Sequence, residues 1–161
     1  AGSRVIVLDA TPVADAVPVD WLGTSLTLRA YAGRADPTGR PFAANIDLAP
    51  ALPLPPVHLS ATRDPLSGDV TLGWVRCSRA DTDSWATAEA PLDFAPEAYA
   101  LTICNGSTPV RAIAAASPTA TYTAAEQAAD FGALPSSFTF TVAQLSPTLG
   151  PGLAAPGAFH A

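Results

Sequence analysis

Lysine and methionine are absent from the 161 residues, and all eight basic side chains are arginine. Against 14 acidic residues this gives a formal charge of −6 and a pI near 4.5. A chain with that balance has no basic face to hold a phosphate backbone, which excludes nucleic acid as a partner. Charge is scarce altogether, at 14% of residues against 48% hydrophobic, the reverse of the composition that keeps chains disordered. Long apolar runs are also missing. Stretches such as Val5 to Leu8 and Ala112 to Ala116 fall far short of the ~20 residues of a spanning helix, so membrane insertion is not expected.

Two further scarcities narrow the chemistry. Cysteine occurs only at 77 and 104; one bridge between them is open, but a lone pair reads more naturally as two free thiols of a chain folded in a reducing compartment. Histidine occurs only at 58, beside a run of prolines, and at 160, next to the terminus. Neither sits at ligand spacing from a cysteine, so no metal is expected. Neither is placed to act as base for a Ser or Cys nucleophile, so no catalytic constellation, no cofactor and no enzyme is expected. Aromatics are only 7% and much of the apolar fraction is alanine, which predicts a lean core.

Proline and glycine, 17 and 11 residues, are what the chain has in plenty, and they favour short strands over long helices. The length suits one domain of ordinary size, or one with part of another. Arg4 to Asp9 reads as a strand, with no initiator Met and no signal-type apolar region before it, so the chain is expected to be a piece of a longer polypeptide. Leu26, Leu28 and Ala30 alternate with Thr27 and Arg29, a period of two that marks a half-buried strand. So few strands do not bury a core alone, and residues 1–50 are read as a small β-rich segment of an adjoining domain. Four prolines between positions 50 and 56 then impose an extended linker.

The second domain, residues 51–161, is expected to be all-β, an antiparallel β-sandwich with one short helix. Val57 to Ala61 alternates, Asp64 to Asp69 turns, and Val70, Leu72 and Trp74 share a face, which makes a hairpin with a buried Trp. Tyr99, Leu101 and Ile103 face the core of another strand, and Asn105-Gly106 predicts a tight turn into Val110 to Ala114, both its residues at positive φ. Thr123 and Glu126 stand at capping-box spacing before a helix that Gly132 ends. Phe138, Phe140 and Val142 alternate with threonines in the clearest strand, and a last edge strand ends near Phe159. Trp74, Tyr99, Phe138 and Phe140 are the expected core anchors.

The polar stretch Ser78 to Pro91 offers the surface candidates. Trp85 lies among Asp, Ser and Thr, where an exposed aromatic suits contact with a sugar or protein, against the alternative that it folds back over the sandwich edge. Arg76 and Arg79 join it as candidate contacts and are expected to pair with neighbouring acids. Asp81, Asp83, Glu89, Asp93 and Glu97 are read as solvated loop charges. Asp81-x-Asp83 lacks the distal Gly and Glu of a calcium loop. His58 is read as a solvent-facing strand residue.

The order of Pro55-Pro56-Val57-His58-Leu59, the Trp74 strand, the Tyr99 strand and the Phe138-to-Val142 strand resembles a fibronectin type III module, with the Trp on its second strand, a Tyr opening its third and an aromatic-x-aromatic-x-Val strand sixth. The local wording is similar to the C-terminal part of the tail-tip host-specificity proteins of phages and gene transfer agents, the "megatron" family. It is carried by Gly68-Asp69-Val70-Thr71-Leu72-Gly73-Trp74-Val75-Arg76-Cys77-Ser78-Arg79, Asp83-Ser84-Trp85, Glu97-Ala98-Tyr99 and Val142-Ala143-Gln144-Leu145-Ser146. The resemblance covers residues 54–150 well and 1–50 weakly, and Cys77 departs from it where a second Arg is expected beside Arg76. It implies a structural, adhesive role at the tail tip of a virion-like particle assembled in the bacterial cytoplasm. Implied partners are other baseplate proteins around a homotrimeric hub and a host-surface glycan or protein. A spacer or sugar-binding module of a secreted carbohydrate-active enzyme is the alternative reading.

Overall fold

The structure, a computed structural model, describes residues 18–31, 35–79 and 90–161. The strand expected from Arg4 to Asp9 lies outside them, as do Trp85, Asp81, Asp83 and Glu89. The chain divides into two units, Ala1–Pro50 and Ala51–Ala161, at the proline-rich segment.

In the first unit, β1 (Ser25–Ala30) and β2 (Arg40–Asn45) form an antiparallel hairpin in which Leu28 faces Phe42. The alternation predicts β1 correctly but not its burial. Leu26 is half-buried, whereas Leu28 is 40% and Phe42 48% exposed, because two strands supply one face and no opposing layer within the hairpin.

In the second unit, β3 (Val57–Arg63), β4 (Val70–Val75) and β7 (Thr119–Tyr122) form one antiparallel sheet in the order β3-β4-β7. The other contains β5 (Tyr99–Asn105), β6 (Thr108–Ala115), β8 (Ser137–Ser146) and β10 (Ala155–His160) in the order β10-β8-β5-β6, with the two-residue β9 (Gly150–Pro151) beside β8. Leaving the two-residue β9 aside, the first, second and fifth strands of the unit thus oppose the third, fourth, sixth and seventh. This is a fibronectin type III-like sandwich, with Trp74 on its second strand, Tyr99 opening its third and Phe138-x-Phe140-x-Val142 on its sixth.

Period-two patterning builds the core. Val70, Leu72 and Trp74 from one sheet meet Tyr99, Leu101, Ile103, Phe138, Phe140, Val142 and Phe159 from the other, with Tyr122 at the end of β7. Few aromatics suffice because they touch one another edge-on or stacked. Trp74 meets Tyr99 at 5.0 Å and 72°, Tyr122 meets Phe138 at 5.5 Å and 87°, and Phe138 stacks on Phe159 at 5.0 Å. At Gly157, opposite Phe140, a Cβ would lie 2.5 Å from the Phe140 ring, so that strand position admits only glycine without a shift.

Two local expectations are corrected. Asn105 pairs with Thr108, which leaves Gly106-Ser107 as the two-residue loop; only Gly106 has positive φ, at 60°, the pattern of a turn with Gly first rather than Asn-Gly central. The Val57-to-Ala61 alternation is interrupted. A register shift between Val57 and Ser60 places His58 at φ 51°, so Leu59 and Ala61 pack on the core while Val57 is turned out and 39% exposed. His58 is exposed, as expected, but on a bulge of an edge strand, a device that discourages edge-to-edge pairing.

Candidate functional site

The candidate contact residues lie where β4 leaves the sandwich. Arg76 follows β4 directly, and its side chain turns inward, 17% exposed. Its Nε donates to the Ala90 carbonyl at 2.6 Å and a terminal nitrogen donates to Glu97 Oε1 at 3.1 Å. The same Glu97 oxygen accepts the Tyr99 hydroxyl proton at 2.7 Å. Burial, then the Glu97 carboxylate, push the Tyr99 phenol well above its usual range, opposed by Trp74 and Arg76. Two residues on, the Ser78 hydroxyl donates to Asp93 Oδ1, and Arg79 donates its backbone N–H to Asp93 Oδ2 at 2.9 Å and its guanidinium to the Leu52 carbonyl at 2.5 Å.

Residues 76–79 are therefore stitched to 90–97. The pairing expected of Arg76 with an acid is present, through Glu97; the side chain of Arg79 goes to a carbonyl instead. Glu97 and Asp93 are not the solvated loop charges expected from sequence, because each accepts hydrogen bonds from the stem of the polar stretch. Trp85, the third contact candidate, lies outside the described residues; of the other two, the Arg76 side chain meets Glu97 and the Arg79 backbone N–H meets Asp93.

A second polar cluster, which the sequence reading missed, pins the helix to the sandwich. The helix α1 (Ala124–Phe131) starts at Thr123, whose hydroxyl accepts from the Glu126 N–H while the Glu126 carboxylate accepts from the Thr123 N–H, and Gly132 closes it in the left-handed conformation. Arg111, on β6, reaches Asp130 from Nε at 2.6 Å and from a second nitrogen at 3.0 Å, and Glu126 at 3.2 Å. The Tyr122 hydroxyl donates to Asp130 at 2.7 Å. Arg111 holds the Asp130 carboxyl below the usual carboxylate range, against the cost of burial. Burial and Asp130 raise the Tyr122 phenol. Beneath it, Gln127, fully buried, donates to the Gly68 and Tyr122 carbonyls and accepts from Arg63. The capping box was legible; the cluster was not, because Arg111 lies 19 residues from Asp130 on a different element.

These clusters fasten elements together. Among the described residues, no group of three or more His, Cys, Asp or Glu is placed to hold a metal. No helix there is long and apolar enough to cross a membrane. Cys77 and Cys104 are free thiols, as expected. Core anchors Trp74, Tyr99, Phe138 and Phe140 are all buried.

The outward face of the four-stranded sheet is different in kind. Across it run Ala158, Thr139 and Cys104; then Pro156, Thr141, Thr102 and Ala112; then Ala100 and Ala114, whose neighbour Ala143 is buried. None of these carries charge or a long side chain. Such side chains offer little for electrostatic recognition.

No protein-family model matches the chain, and no curated protein matches it. Among solved structures it is similar to the rat CD45 extracellular region, domains d3-d4, with a TM-score of 0.48 and 11% identity over 99% of this chain and 76% of that one.

Proposed function

We propose that residues 51–161 are a structural and adhesive domain of a phage-like tail-tip protein, part of the baseplate hub, and that residues 1–50 belong to an adjoining domain of the same protein. The observation that carries this reading is the resemblance of Gly68 to Arg79, Glu97 to Tyr99 and Val142 to Ser146 to the tail-tip host-specificity family. These segments build β4, the start of β5 and the end of β8. A sandwich whose polar side chains are occupied in fastening its own elements, entered through a proline-rich segment, suits a semi-rigid spacer. Its outward sheet face of uncharged side chains suits close contact with neighbouring baseplate proteins, and Arg76 and Arg79 flank the polar stretch proposed to contact a host-surface glycan or protein.

Density-gradient fractionation of particles from the producing culture tests the proposal. The chain is expected in the fraction of intact tailed particles, in constant ratio to their other tail proteins. Its recovery only as soluble protein beside a secreted hydrolase would overturn the reading in favour of a carbohydrate-enzyme module.

A further inference from the structure

Proline has no N–H to donate, so the prolines of the linker can be held to the sandwich only through their carbonyls and by burial of their rings. Both kinds of hold meet at Leu52 and Pro53. The Leu52 carbonyl accepts from the Arg79 guanidinium at 2.5 Å, and the next carbonyl, that of Pro53, accepts from the Leu153 N–H at 3.2 Å. Pro53 is itself fully buried. It lies so close to Gly152 that a Cβ there would stand 2.6 Å from the Pro53 Cβ and nearer still to its carbonyl oxygen. The Gly152 N–H in turn donates to the Gln144 carbonyl on β8 at 2.8 Å, which fixes this corner to the sheet.

The two holds come from distant parts of the sequence. Arg79 stands at the stem of the polar stretch, its own N–H on Asp93, whereas Gly152 and Leu153 lie between β9 and β10. The segment they share is stiff. The Leu52 carbonyl and the Pro53 ring nitrogen belong to one planar peptide unit, and the ring fixes the Pro53 φ, so the carbonyl cannot swing without carrying the ring. We propose that Leu52–Pro53 is a latch seated in the Gly152–Leu153 corner with Arg79 as its pin, so that the stem of the polar stretch and the corner after β9 are conformationally coupled through the linker. Arg79 is exposed, and an outside group that took its guanidinium would loosen the linker's hold as well. The latch does not depend on the tail-tip assignment.

Native-state amide hydrogen exchange of the full chain, followed residue by residue in NMR spectra, tests the coupling. In Arg79→Ala the Leu153 amide, whose own hydrogen bond is untouched by the substitution, is expected to exchange about fivefold faster, the net effect of losing one hydrogen bond from a local opening, while the amides of β5 keep their rates. Arg79→Lys, which retains one charged donor, should restore most of that protection. In Gly152→Ala, where the new Cβ displaces Pro53, the Arg79 amide should exchange faster in return. Unchanged Leu153 exchange in Arg79→Ala, or acceleration shared equally by the amides of β5, would overturn the latch, as would unchanged Arg79 exchange in a folded Gly152→Ala. If Gly152→Ala does not fold, the two Arg79 variants decide alone.

Discussion

Trp74 is the residue on which most of the core's geometry converges, buried between the sheets and edge-on to Tyr99. Trp74→Ala is expected to cost about 3–5 kcal/mol through lost burial and the cavity left behind, read as a fall in thermal or denaturant midpoint; an unchanged midpoint would mean that the indole does not pack as described. Asp130 sets a pH dependence. Its carboxyl titrates below the usual value because Arg111 binds the charged form, so its contribution is present above the ordinary Asp pKa of about 3.9 and is lost as pH falls through the lower folded value. Asp130→Asn should therefore destabilise the domain at neutral pH and make its acid-side loss of stability shallower. Identical pH profiles for the two proteins would remove the Arg111 to Asp130 pair from the account.

At the level of elements, α1 and β3 show what local sequence decides and what it leaves to the tertiary structure. Thr123→Ala removes one half of the capping box and is expected to cost about 1 kcal/mol, measurable by chemical denaturation. His58→Gly should do the opposite, raising stability by about 1 kcal/mol, because a side chain at φ 51° is held in the left-handed region that glycine occupies freely; a loss of stability would show that the imidazole itself contributes there. The helix was legible to the residue at both caps, since Thr123, Glu126 and Gly132 act on their own neighbours. The strands around Trp74, Tyr99 and Phe138 were legible because burial on one face enforces a period of two. The bulge at His58 was not, because it depends on how β3 is registered against β4, and the turn after β5 fell one residue late for the same reason. The polar pins were hidden more deeply. Arg111 and Asp130, or Arg63 and Gln127, are ordinary surface-type residues in sequence and become partners only when separate elements meet. Of the candidate contact residues, sequence anticipated that Arg76 would pair with an acid but not that its side chain would be turned inward to do so.

At the scale of the whole chain, two units divide at the proline-rich segment, and in the larger one Arg63, Arg76, Arg111, Glu97 and Asp130 serve internal fastening, while the outward sheet face carries Ala, Thr, Pro and Cys. The proposed tail-tip role would use that division of labour, with contacts made without ionic steering. Immunogold electron microscopy of tailed particles, with an antibody raised against residues 51–161, tests the proposed place most directly. The account predicts gold at the tail tip of intact particles; tailed particles left unlabelled while the antigen is found free in the medium would contradict it.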